Sequence, residues 1–276
     1  MKDLRACVAL VTGASGGLGT HIARGLARSG ADVIVTGRRE DALAEVASEL
    51  SGLGVQALAV AADVADPDQL DSLVEQGEAK LGGIDVLVNN AGVEIPSAFT
   101  NYTREELTEM VAVNLTAPLL LTQRLLPGML ARGRGHVVFI SSVAGKLGTA
   151  YQVPYAATKA ALVSLAQSLR FEYSSAPVGF SVICPGFITG DGMYQRMIEA
   201  GFRSSGRLPE TDTTKVTERV LEAIRDDRPE VIELGMPLRP MLAVGQMAPR
   251  LLERAVRRGG VTELFRRVAA LHGRDS

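Results

Sequence analysis

Cysteine is nearly missing from this sequence. Cys7 and Cys184 are the only two among 276 residues, each in a short apolar run, and neither joins a pair or a Cys/His cluster with metal-ligand spacing. That excludes a disulfide framework and a cysteine-based metal site, and both thiols are expected to be buried strand residues. A charge excess is missing as well: the formal net charge of −2 supplies no field to gather nucleic acid, which is not an expected partner. Long apolar runs are absent too. The opening MKDLRACVALVTG is charged, then apolar for only a few residues before a glycine turn, too short for a signal peptide or a membrane span. A reduced, cytoplasmic setting is therefore expected. No Pro/Gly/Ser-rich linker, repeat or low-complexity segment divides the chain, so we read one domain over 1–236 and a tail over 237–276.

What is present is a hydrophobic fraction of 46%, enough for a sizeable core. Short β-branched runs alternate with longer amphipathic segments. The pattern predicts strands at 6–11, 32–36, 55–60, 84–88, 136–140, 178–183 and 230–234, and helices at 17–29, 39–51, 67–81, 103–132, 154–175 and 213–227. Asp66 before Pro67 reads as an N-cap followed by a first-turn proline, and Thr103 with Glu106 has capping-box spacing. Right-handed crossovers wind such a chain into an α/β, single-domain Rossmann fold: a doubly wound parallel sheet of about seven strands with helices on both faces. Ligands bind such sheets at the carboxyl ends of the strands, so chemistry is sought in the residues just after each strand.

The first strand is followed by TGASGGLG, residues 12–19, and then by a helix. Gly13 allows the tight turn, Gly17 lets backbone approach a pyrophosphate, and Gly19 lets helix lie against strand. Ser15 and Leu18 belong to the same turn, and the free N–H groups at the helix start favour an anion. The end of the second strand, VIVTGRRED, lacks the Asp or Glu that would bond the ribose hydroxyls of NAD; Gly37 stands there and Arg38 follows. A guanidinium pairs with a 2′-phosphate, so NADP(H) is favoured and NAD(H) is the alternative. Arg38 and Arg39 can equally be solvated residues at a helix start. Asp63 and Val64 follow the third strand, where the carboxylate either accepts the adenine amino group or caps a turn. NNAG, residues 89–92, follows the fourth; Asn90 and Gly92 would let backbone lie along the cofactor, or they form an ordinary turn.

Taken together, TGASGGLG at 12–19, NNAG at 89–92, Asn114, Ser142, Tyr155-x-x-x-Lys159 and Pro185-Gly186 resemble the short-chain dehydrogenase/reductase family over residues 5–235. The resemblance implies a catalytic group of Asn114, Ser142, Tyr155 and Lys159. Ser142 lies thirteen positions before Tyr155, whereas the same count from Tyr151 reaches Val138. Lys159 shares a helix face with Tyr155, and Tyr151 lies before Pro154, where helix is disfavoured. The implied reaction is hydride transfer between a nicotinamide and a carbonyl carbon. Tyr155 would act as acid/base, and Ser142 would hold the oxygen. Lys159 would bind the nicotinamide ribose and lower the phenol pKa, and Asn114 would position a water. Tyr155, Lys159, Pro185, Gly186 and the backbone of Ile188 would thus border the cofactor. The family's usual Pro-Gly-x-x-x-Thr is altered here to PGFITGDGM, with Thr189 one position early.

An apolar lid is expected over 187–212. With Ser142 and Tyr155, the residues Tyr151, Phe187 and Met193 would line the substrate pocket, implying a small lipophilic ketone, aldehyde or secondary alcohol. The tail departs most from the family: eight arginines face three acidic residues over 237–276, with helices expected at 240–257 and 261–271. It would fold over its own cleft, meet a neighbouring subunit, or touch an anionic membrane surface peripherally. Helix 154–175 is apolar on several sides, which suits a homodimer or homotetramer.

Overall fold

The computed structural model describes residues 3–192, 194–195, 198, 210–234, 240, 242, 247–258, 261–271 and 273–274. The chain opens with β1 (Val8–Thr12), α1 (Gly17–Arg28), β2 (Asp32–Gly37), α2 (Glu40–Ser51), β3 (Ala57–Ala61), α3 (Pro67–Leu81) and β4 (Val86–Asn89). It continues through α4 (Arg104–Val111), α5 (Ala117–Arg132), β5 (Gly135–Ile140), α6 (Val153–Glu172) and β6 (Val178–Pro185). Then come β7 (Phe187–Thr189), β8 (Glu210–Asp212), α7 (Thr213–Asp226), β9 (Glu230–Glu233), α8 (Pro249–Arg258) and α9 (Val261–Leu271).

The seven expected strands form one parallel sheet in the order β3-β2-β1-β4-β5-β6-β9. Its strand order reverses between β1 and β4, which opens a crevice at their carboxyl ends. Because side chains alternate along a strand, each buried strand feeds two cores. Ala9 and Val11 of β1 face α1, α2 and α7 with Val33, Val35, Val86 and Val88. Val8 and Leu10 point the other way, with Ile34, Leu87, Phe139 and Phe180, against α3, α5 and α6. Cys7 and Cys184 are buried as expected, and burial pushes the Cys184 thiol up to about 12. At the amino edge of the sheet Asp85 is fully buried, and Arg132 (3.1 Å) and Arg134 (2.9 Å) close over it.

Local signals behave as written. Asp66 accepts from the Asp68 N–H at 3.0 Å with Pro67 in the first turn, and Thr103 and Glu106 form a reciprocal capping box. The single helix expected over 103–132 is broken, however. Between α4 and α5 lies a π turn, Ala112–Thr116, in which the Ala117 N–H reaches back to the Ala112 carbonyl. The strands β7 and β8, unexpected from sequence, pair in parallel as a separate two-stranded sheet. The helix expected over 240–257 is described from Pro249, part of 240–248 lying outside the described residues.

Candidate active site

The glycine turn sits at the crevice, between the ends of β1 and β4. Gly13 and Gly17 both have positive φ, 65° and 59°, a backbone region L side chains rarely enter. A Cβ on Gly13 would stand 2.8 Å from the Ala91 Cα, and one on Gly19 only 2.3 Å from the Gly13 carbonyl oxygen. Asn90 fastens the turn from the β4 side: its amide donates to the carbonyls of Thr12 (2.9 Å) and Gly13 (3.3 Å). The Thr12 hydroxyl in turn accepts from the N–H groups of Asn90 and Ala91, both at 3.0 Å. At the start of α1 the Gly17 N–H donates to the Asp191 carboxylate at 3.1 Å. A carboxylate thus stands where a helix N-terminus favours an anion, and the space and donors fit a pyrophosphate.

The arginines after β2 divide differently from expectation. Arg38 is exposed and lies 4.0 Å from Glu109, whereas Arg39 crosses the glycine turn and donates to the Ser15 carbonyl. Of the two, Arg39 is the one in contact with the turn. The Asp63 carboxylate accepts from the Ala65 N–H at 3.0 Å, capping its own turn, and Val64 packs in the core beside it.

Across the crevice, α6 brings Tyr155 and Lys159 onto one buried face, one helical turn apart. Ser142 follows β5, and its hydroxyl accepts from the Ala144 N–H at 3.1 Å. Neighbouring Ser141 donates to the Lys159 carbonyl at 2.7 Å, tying the strand end to the helix. The Lys159 ammonium donates to the Ile140 carbonyl at 2.9 Å and lies 5.6 Å from the Tyr155 ring centre. Gly92 completes the contact between the two sides: a Cβ there would be 3.3 Å from Lys159 Nζ and 3.4 Å from Asn114 Oδ1.

The electrostatics run against one expectation. Burial, reinforced by the nearby Glu94 carboxylate, holds the Tyr155 phenol well above its ordinary range, and the Ser142 hydroxyl offsets this only in part. Burial also lowers Lys159 to about 8, with Glu94 opposing. The phenol is thus kept protonated at neutral pH, since desolvation penalises its charged form more than its surroundings relieve it. Asn114 has an immediate structural task. Its side chain accepts from the Val93 N–H (2.8 Å), donates to the Val93 carbonyl (2.9 Å) and donates to Thr158 (3.2 Å).

Beyond Tyr155 the cleft is aromatic. Pro185 ends β6, the Gly186 N–H donates to the Glu233 carbonyl at 2.8 Å, and Phe187 and Ile188 continue into β7. The Thr189 hydroxyl donates to the Thr211 carbonyl at 3.1 Å. Tyr151 precedes α6 with φ 63°, and it packs with Phe187 and Tyr194 in a small cluster separate from the two cores. Met193, expected in this wall, lies outside the described residues, as does most of 196–209. Burial raises the Tyr194 phenol to about 12. Sequence reading missed Glu94 and the contact of Asp191 with the glycine turn, and it placed the arginine contact at Arg38 where Arg39 makes it.

A buried tyrosine and lysine beside a serine, across the crevice from a glycine turn that fits a pyrophosphate, suit an oxidoreductase. The chain belongs to the short-chain dehydrogenase family, whose family model matches residues 7–199. It is 37% identical to the ketoacyl reductase HetN of Nostoc sp. over 281 aligned positions, covering 100% of this chain and 96% of that protein. It is also 37% identical to the oxidoreductase UcpA of Escherichia coli over 189 positions, 68% of this chain and 72% of that one. Among solved structures, a 3-oxoacyl (acyl-carrier-protein) reductase from Agrobacterium tumefaciens with NADP bound superposes with a TM-score of 0.77 and 30% identity, over 85% of this chain and 95% of that one. The likeness to HetN runs through the tail, past the end of the family match. Among the described residues no helix is long and apolar enough to cross a membrane.

Proposed function

We propose that this chain is an NADPH-dependent reductase of a lipophilic ketone of 3-oxoacyl type, with Tyr155 as the proton donor. The observation that carries the reading is the buried Tyr155 and Lys159, on one helix face beside Ser142 at the carboxyl end of β5, with Gly92 against the Lys159 ammonium. A phenol at this place gives its proton to the developing alkoxide in reduction and takes one back in oxidation, and the relatives named as reductases support the reducing direction. Ser142 would donate to the same carbonyl oxygen, and Lys159 would supply positive charge below it and hold the nicotinamide ribose. Asn114 would keep the turn of Gly92 and Val93 in register with Lys159. When bound, the reduced nicotinamide supplies the hydride.

Gly13, Ser15, Gly17, Leu18 and Gly19 would cradle the pyrophosphate. Arg38 and Arg39 would meet a 2′-phosphate where no carboxylate stands to repel it. Val64, Asn90, Pro185, Gly186 and Ile188 would frame the rest of the dinucleotide. The relatives named as ketoacyl reductases, and the aromatic wall of Tyr151 and Phe187, support an acyl chain as the lipophilic part. Exposed Leu119 on α5 and Phe171 on α6 fit a second copy of the chain, which light scattering would register as a dimer or tetramer.

The test is consumption of NADPH and of NADH with 3-oxoacyl thioesters of graded length and with simple ketones. Turnover with NADPH, favoured over NADH and over the reverse reaction, is expected. Tight NADPH binding without turnover of any carbonyl would replace this reading with a non-catalytic nucleotide sensor.

A further inference from the structure

The last described helix, α9, does not pack on either of the two cores that sandwich the sheet. Its buried side chains Leu264, Phe265 and Val268 instead join Tyr151, Phe187, Tyr194 and Ile198. Phe265 stacks on Phe187 at 6.2 Å between ring centres with planes 27° apart, and Phe187 meets Tyr194 at 4.9 Å. Phe187 follows the carboxyl end of β6, and Tyr151 stands four residues before Tyr155. The helix therefore closes on the two segments that border the reacting end of the cleft, and its apolar face is used within the chain.

Just past α9 the tail is fastened. The Arg274 guanidinium forms a two-pronged pair with Glu106, with one bond at 2.6 Å, and also donates to the Ser97 hydroxyl and the Asn101 carbonyl, both at 3.3 Å. The Arg274 carbonyl accepts from the Ala98 N–H at 2.6 Å. Ser97 is fully buried and passes the connection on, because its N–H donates to the Tyr151 carbonyl at 2.9 Å. Glu106 is at the same time the N3 member of the capping box of α4, so the clasp ends on a rigid element. A planar guanidinium held by a carboxylate fork, a hydroxyl and a backbone carbonyl fixes direction as well as position.

We infer that α9 is the outer wall of the substrate pocket, that Phe265 sets how much of an acyl chain it admits, and that Arg274 is the clasp holding this wall. The inference rests on the carbonyl-reductase reading for its substrate but not for its geometry. An apolar wall discriminates by volume, so removing a ring admits longer chains without touching the chemistry or the cofactor cradle.

The experiment measures kcat/KM for 3-oxoacyl thioesters of short and long chain with the full-length protein, Phe265→Ala and Phe265→Leu. NADPH affinity is measured alongside. In Phe265→Ala the long-to-short ratio should rise about tenfold, with Phe265→Leu between it and the parent and NADPH affinity within twofold throughout. An unchanged ratio in both variants overturns the inference. Hydrogen exchange supplies a readout that needs no turnover: Arg274→Ala should speed exchange of the Ser97 and Ala98 amides about tenfold, and protection left at the parental level overturns the clasp. If the parent reduces no carbonyl, the functional reading fails, and the exchange result alone decides whether the tail holds this wall.

Discussion

On one side of the cleft, Gly13, Gly17, Gly19 and Gly92 make room by having no side chain; on the other, Tyr151, Phe187, Tyr194 and Phe265 take it up. The first side is backbone, fixed by strand ends and by hydrogen bonds from Asn90 and to Thr12. The second is ring against ring, assembled from four segments scattered along the chain. A cradle made of backbone tolerates changes of side chain, whereas a wall made of side chains is free to change with the substrate. Tyr155, the proposed proton donor, sits where the two meet.

Four measurements would break or sharpen that contrast. Tyr155→Phe acts at the junction and should cost about 10²- to 10⁴-fold in turnover with NADPH affinity unchanged; an active phenylalanine variant would remove Tyr155 from its role. Gly19→Ala strikes the backbone side, where the new Cβ would lie 2.3 Å from the Gly13 carbonyl oxygen. It should weaken NADPH binding at least about tenfold, about 1.4 kcal/mol, and binding kept at the parental level would show that the turn yields cheaply. The third is a pH profile. Lys159, lowered to about 8 by burial, is charged below that value and neutral above it, while Tyr155 stays protonated across the range. kcat/KM for reduction should therefore fall about tenfold per unit above pH 8, and a flat profile to pH 9.5 would sink the assignment of that limb to Lys159.

The smallest effect is expected at Asp191. Its carboxylate occupies the anion seat at the start of α1, so an entering pyrophosphate must displace a like charge. Asp191→Asn should tighten NADPH binding about two- to fivefold, the scale of one charge at a helix terminus. Weaker binding in titrations at low salt would mean the carboxylate supports the cofactor instead of competing with it.

The backbone side was the legible one. Its strands are continuous β-branched runs, its glycines stand where a strand turns into a helix, and the thirteen-residue step from Ser142 to Tyr155 lies within one strand–loop–helix unit. What escaped was set by contacts between distant residues. Asp191 meets Gly17 across 174 positions, and Arg274 meets Glu106 across 168. No local pattern of charge or period announces either pairing. Arg38 was singled out because it directly follows Gly37, yet the backbone at the start of α2 sends Arg39 across the turn. The phenol was expected to be acidified by its lysine; burial, which sequence spacing cannot express, acts on both groups and more strongly.

The π turn at Ala112–Thr116 has a consequence for how this protein can change. A π turn holds one residue more than the α ladder needs, so deleting a single residue there would let α4 and α5 fuse into one regular helix. Fusion would rotate one half against the other by about 100°, the angle of one helical residue. Asn114 would lose Val93 and Thr158, or α4 would swing away with the Glu106 that anchors the tail. The extra residue thus holds two distant parts of the molecule in phase, and neither can keep its contacts without it.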